Sequence, residues 1–242
     1  MKKLVSLTCG LVVAFVVFAV NAGATVIADW TFESSYTSIT GSGSDLGPLS
    51  PETGSGSASG HHANSASVWS APVGDGSAKS FSVNNWSVGD YFQFQVNASG
   101  YQDILLDWDQ TSSNTGPRDF VLQYSTDGSS FSTFGSQYTV LGNIASTSPS
   151  RSFWSSASYE SAYHLSFDLS SVGGTIDNQS SLYFRLVDNS NSSANGGSTA
   201  SSGTDRVDNF VVSATAIPEP SSIMLVGVGL TSLVMVFRRR RS

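Results

Sequence analysis

The sequence predicts an all-β fold, an antiparallel sandwich of jelly-roll type, flanked at each terminus by an apolar segment. Three observations predict it. Between residues 25 and 216 the chain divides into about nine to eleven short runs with period-two alternation of apolar and polar residues. Clusters of Ser, Gly and Asn separate those runs. No segment outside the two termini carries helical periodicity, and short strands with turn signals between them are the pattern of sandwiches and barrels.

The elements follow in order. Val26–Phe32 opens the body, with Ala28, Trp30 and Phe32 alternating against Asp29 and Thr31. Residues 41–60 are rich in Ser, Gly and Pro and predict a long flexible loop. Val68-Trp69 and Lys79–Val83 are short strand candidates. Tyr91–Val96 is stronger: Phe92, Phe94 and Val96 share one face, and Gly89-Asp90 supplies a turn before it. Asp103–Asp109 carries Ile104, Leu106 and Trp108 on one face. Phe120–Ser125 leads into Asp127-Gly128 and Phe131, a hairpin signal, because both turn positions tolerate positive φ. Val140-Leu141 and Trp154 are weaker, and Tyr163–Leu169, Leu182–Val187 and Val207–Ser213 complete the series.

Composition narrows the function classes. The only cysteine, Cys9, lies in the N-terminal apolar segment, so the body has no disulfide, thiolate nucleophile or cysteine-ligated zinc. Between residues 25 and 216 there are five basic residues (Lys79, Arg118, Arg151, Arg185 and Arg206) against 17 acidic ones, a formal charge of −12. That balance argues against nucleic acid and anionic lipid, and suits cations or neutral polymers.

Both ends read as export signals. Lys2 and Lys3 precede the apolar run Leu4–Val20, and Ala22-Gly23-Ala24 offers the small residues that signal peptidase reads. This predicts a signal peptide over residues 1–24, cut after Ala24, with Ala22 as the alternative. At the other end Pro218-Glu219-Pro220 interrupts secondary structure. An apolar run to Phe237 follows, then Arg238, Arg239, Arg240 and Arg241. From Ser221 to Phe237 there are about 17 residues, near the lower limit for a spanning helix. The arginine cluster belongs on the cytoplasmic side, which puts the body outside.

The triplet, the Gly-interrupted apolar run and the arginine cluster, in that order over residues 217–242, resemble the PEP-CTERM sorting signal of Gram-negative, exopolysaccharide-producing bacteria. The resemblance implies an inner-membrane-anchored precursor, an exosortase as processing partner, and release or attachment of the body at the cell surface or in the extracellular matrix. Gly116–Phe131 and Gly203–Val212 are similar to jelly-roll modules of extracellular bacterial proteins, carbohydrate-binding-module-like sandwiches among them. The expected function is that of a secreted, non-catalytic protein associated with exopolysaccharide. The rivals are a carbohydrate-binding module for a matrix glycan and a glycan hydrolase.

The chemistry-bearing residues give four expectations. Structural calcium is the foremost metal expectation, because hard cations want clustered oxygens. If first and last strands are neighbours, Asp29 or Glu33 can meet Asp205 and Asp208, a place where the resemblance implies a structural calcium, with an acidic rim holding no fixed ion as the competing role. For glycan stacking, Trp69, Trp86, Tyr101 and Trp154 fall near turns, with core closure as the competing role. Asp107 and Asp109 share a strand face and could serve as paired carboxylates, against a solvent-facing flank. His61-His62 read as a solvated loop pair, and His164 begins a strand. No nucleophile elbow, phosphate loop or dinucleotide fingerprint occurs.

Overall fold

The computed structural model describes residues 23–34, 39–147 and 150–218. Among these the fold is two packed, almost wholly antiparallel sheets with two short 3-10 turns. The larger sheet has nine strands. Its spine pairs β9 (Tyr101–Ser112) with β17 (Asp205–Ala216), both 12 residues long. Beyond β17 lie β7 (Phe81–Val83), β6 (Val68–Ser70) and β2 (Gly41–Ser42). The first strand, β1 (Ala24–Trp30), also pairs with β17 and carries β4 (Thr53–Gly54). On the other flank β9 pairs with β15 (His164–Asp168) and, in parallel, with β12 (Leu141–Gly142).

The second sheet has six strands. Its order is β11 (Ser132–Thr139), β10 (Asp119–Ser125), β16 (Leu182–Asp188), β8 (Tyr91–Val96), β5 (Gly56–His61) and β3 (Asp45–Leu49). A small hairpin, β13 (Ser146–Thr147) and β14 (Ser150–Arg151), stands apart.

Alternation decides which side chains meet between the sheets. Phe92, Phe94 and Val96 of β8 point inward, as do Leu182, Phe184 and Leu186 of β16 and Ile104, Leu106 and Trp108 of β9. Phe94 stacks on Phe210 across the two layers, ring centroids 3.5 Å apart and ring planes nearly parallel, and Trp30 sets its edge against both. A second aromatic chain runs Trp69–Phe81–Phe92–Trp86–Phe120. Large rings at offset or edge-on geometry dominate such cores, because each buries a large apolar area.

The expected flexible loop at residues 41–60 is instead four strands, β2 to β5. The reason is packing against tryptophan. Gly60 lies under Trp69, where an added Cβ would come within 2.3 Å of the indole. Gly56 lies under Trp30, where an added Cβ would come within 3.0 Å of that ring. The small residues that look like a linker let β5 approach the core closely while its backbone pairs with β8 from Gly56↔Val96 to His61↔Tyr91.

Candidate functional site

The alternation that fills the core also builds the outer face of the six-stranded sheet. Tyr91, Gln93 and Gln95 of β8 lie in register with Val187, Arg185 and Tyr183 of β16, and with His61, Ser59 and Ser57 of β5. Arg185 sits at the centre. Its guanidinium lies between two rings, 3.9 Å from the Tyr91 centroid and 3.6 Å from that of Phe131. Its Nε donates to Gln93 Oε1 at 2.8 Å. Phe131 reaches the face because the Asp127-Gly128 hairpin folds over it, with Gly128 against the Tyr183 ring. The Asp127 carboxylate accepts the amides of Ser129 and Ser130, and those bonds hold its pKa down to about 2. Beside Arg185 an open groove of 360 Å³ runs between β3 and β8. Tyr91, Gln93, Ser59 and His61 line it, and His61 Nδ1 contacts Asp45 Oδ1 at 2.6 Å on its far wall.

The opposite sheet carries an acidic cluster. Asp107 and Asp109 share a face of β9, as expected, but both contact one imidazole: His164 Nε2 is 3.3 Å from Asp107 and Nδ1 is 3.2 Å from Asp109. Asn209 Nδ2 donates to the other Asp109 oxygen at 2.9 Å. The neighbouring Asp208 carboxylate accepts from Ser77 Oγ at 2.6 Å and the Asp75 amide at 2.9 Å. The Asp75 carboxylate in turn accepts the Glu160 amide at 3.0 Å. Burial pushes Asp75 and Asp208 up to about 7 and raises Asp109. These bonds fasten the loops before β7 and before β15 to the sheet, and they occupy the carboxylate oxygens that chemistry would need.

The expected aromatic platform is corrected at three positions. Trp69, Trp86 and Trp154 are only 1%, 6% and 3% exposed. Each indole N–H donates to a nearby backbone carbonyl, of Gly43, Val83 and Val73 respectively. A buried ring has no face left for a sugar, and core closure explains all three. Tyr101 is half-buried and lines a second open groove of 350 Å³ with Val26, Ser55 and Asn97. His62 is corrected too. It is fully buried between Trp69 and Trp86, where burial lowers its pKa to about 4. His61 stays exposed.

The four expected calcium ligands do not converge. First and last strands are neighbours, but Asp29 pairs opposite Val211. Asp205 lies six residues further along β17, about 20 Å at strand rise. Its carboxylate is fully buried and accepts from Gln110 Nε2 and Ser112 Oγ. Glu33 accepts the Lys79 amide, and Asp208 is held in the cluster above. Among the described residues no group of three or more acidic, His or Cys side chains is arranged to hold an ion.

The chain leaves the sandwich directly from its central strand. The Ile217 amide donates to the Gly100 carbonyl at 2.8 Å, so Pro218 follows the last sheet-anchored residue. Ala24 pairs with Thr215, which brings the first and last strands of the described body to one pole. Residues 1–22 of the expected signal peptide lie outside the described residues. So do Glu219, Pro220, the apolar run and Arg238–Arg241. Among the described residues no helix is long and apolar enough to cross a membrane.

The described body is an acidic, cysteine-free β-sandwich whose last strand runs straight into Pro218. Residues 216–241 match the PEP-CTERM protein-sorting motif, and the chain carries that signal. No curated protein matches the chain. Among solved structures it is similar to the K3 cleaved adhesin domain of Lys-gingipain from Porphyromonas gingivalis. That match has 15% identity and a TM-score of 0.34, and covers 60% of this chain and 79% of that one. The K2 cleaved adhesin domain of Lys-gingipain matches at 13% identity and a TM-score of 0.33, covering 78% of this chain and 99% of that one.

Proposed function

We propose that this is a secreted, non-catalytic surface protein of a Gram-negative bacterium, sorted by an exosortase and associated with exopolysaccharide. The carrying observation is the sorting motif at residues 216–241. In this reading the signal peptide is removed by signal peptidase. The apolar run to Phe237 then holds the precursor in the inner membrane, with Arg238–Arg241 in the cytoplasm. The body is taken as a jelly-roll variant of the sandwich, supported by β8, β9 and β10 passing alternately between the two sheets.

The test is removal of Ile217–Ser242. The truncated protein should be exported and folded but no longer retained in the envelope, as fractionation and immunoblotting would report. Normal retention without the tail would end the sorting reading. A carbohydrate-binding role for the body is the second reading, favoured by the groove and polar-aromatic face of the six-stranded sheet. A hydrolase is less well supported, because Asp107 and Asp109 both engage His164.

A further inference from the structure

The outer face of the six-stranded sheet has an electrostatic character unlike the rest of the body. The body holds 17 acidic residues, yet the outward positions of β5, β8 and β16 carry none. Among the described residues Arg185 also differs from the other arginines. Arg118 pairs with Asp119 at 2.8 Å. Arg151 donates to the Ile144 and Gly142 carbonyls, and Arg206 follows Asp205 directly in β17. Among the described residues Arg185 pairs with no carboxylate. Two rings and Gln93 fix its plane and its Nε. Its terminal Nη groups take no protein acceptor among the described residues, and neither is among the buried unpartnered atoms, so both meet solvent.

A guanidinium fixed in this way has already lost the rotamer freedom that a surface arginine would surrender on binding. Its remaining N–H groups form a planar fork, the geometry that matches a carboxylate with two parallel hydrogen bonds. The adjoining groove shares Tyr91 and Gln93 with the arginine's own setting. At 360 Å³ it is at the small end of the range for ligand pockets, roughly 300–1,000 Å³. Its wall of serine, glutamine and tyrosine offers hydroxyl and amide partners for sugar hydroxyls. The one carboxylate on that wall, Asp45, is occupied by His61. We propose that this face binds a carboxylate-bearing polysaccharide, a uronic-acid polymer, with Arg185 holding the carboxylate and the β3–β8 groove holding the sugar ring.

The inference takes its setting from the polysaccharide association proposed above. Its test is binding in solution, so its failure leaves the sorting experiment untouched. Purified full-length chain in mild detergent is titrated with polygalacturonate and with neutral dextran, by calorimetry. Polygalacturonate should bind and dextran should not. Arg185→Lys keeps the charge and the ring contacts but loses the fork, and should weaken binding at least tenfold. Gln123→Glu is nearly isosteric and lies directly opposite Arg185 in register, so its carboxylate should occupy the fork and abolish binding. Near-UV circular dichroism and melting would verify that both variants fold. Acetate at equal carboxylate concentration should compete poorly. The proposal is overturned if dextran binds as well, if either variant binds like the parent, if polygalacturonate does not bind, or if acetate competes fully.

Discussion

At the scale of single residues, two positions carry much of the local constraint. Gly60 is required by the Trp69 indole above it. Gly60→Ala should destabilise the protein by about 1–3 kcal/mol, the usual cost of overpacking a rigid core, as a shift in the denaturation midpoint would show. Asn209 sits at φ 49° within β17, where the register with β9 slips between Asp208 and Val211. Its side chain reaches Asp109 at 2.9 Å and Asp208 at 3.4 Å. Asn209→Gly should lose only that bridge. Asn209→Ala should lose it and add about 1 kcal/mol for a left-handed backbone, so the alanine variant should melt lower. Equal melting would mean the backbone at this bulge is unstrained. The sequence identifies Gly60 as glycine but not as the floor under a tryptophan, because the partner is nine residues away on the other sheet.

At the scale of elements, buried carboxylates bind loops to strands and make stability depend on pH. Asp75 and Asp208 in the acidic cluster, and Asp188 at the end of β16, are each pushed up to about 7, mainly by burial. An unfolded Asp titrates near 3.8, so between pH 4 and 7 the folded state holds more protons than the unfolded one. Stability therefore falls as pH rises through that window. His62 works the other way. Buried and lowered to about 4, it adds stability as pH rises to its unfolded value, 6.5. Three carboxylates outweigh one imidazole. The melting temperature should fall from pH 5 to pH 7 and then level, and Asp208→Asn should flatten the slope. A melting temperature that climbs over this range would contradict the assignment. Of the three only Asp208 falls in a strand that alternation marks, Val207–Ser213, as Asp107 and Asp109 do in Asp103–Asp109. Their burial was not legible, since it depends on loops that cross from elsewhere in the chain.

At the scale of the whole molecule, the first and last strands of the described body meet at one pole, through the pairing of Ala24 with Thr215. Ile217 is still tied to Gly100, so the sorting triplet begins without a spacer. Inserting a short Gly-Ser linker between Ala216 and Ile217 should speed processing of the tail, because the motif would no longer wait on fraying of β17. Pulse-chase of the precursor would measure this, and an unchanged rate would show that the folded end is no obstacle.

Features with local signals were legible before any tertiary contact is considered. Period-two alternation marked the strongest strands, the Asp-Gly turn marked the β10–β11 hairpin, and the triplet, apolar run and arginine cluster marked the sorting tail. Tertiary structure alone decided the parts that depend on register and on which sheet a segment joins. It turned the Ser/Gly stretch into strands and buried three tryptophans that sit near turns. It dispersed Asp29, Glu33, Asp205 and Asp208, and brought Phe131 over Arg185. The physical reason is one of range. Alternation and turn chemistry act between residues a few positions apart, whereas a ring under a glycine or over a guanidinium is set by strands that meet only when two sheets close.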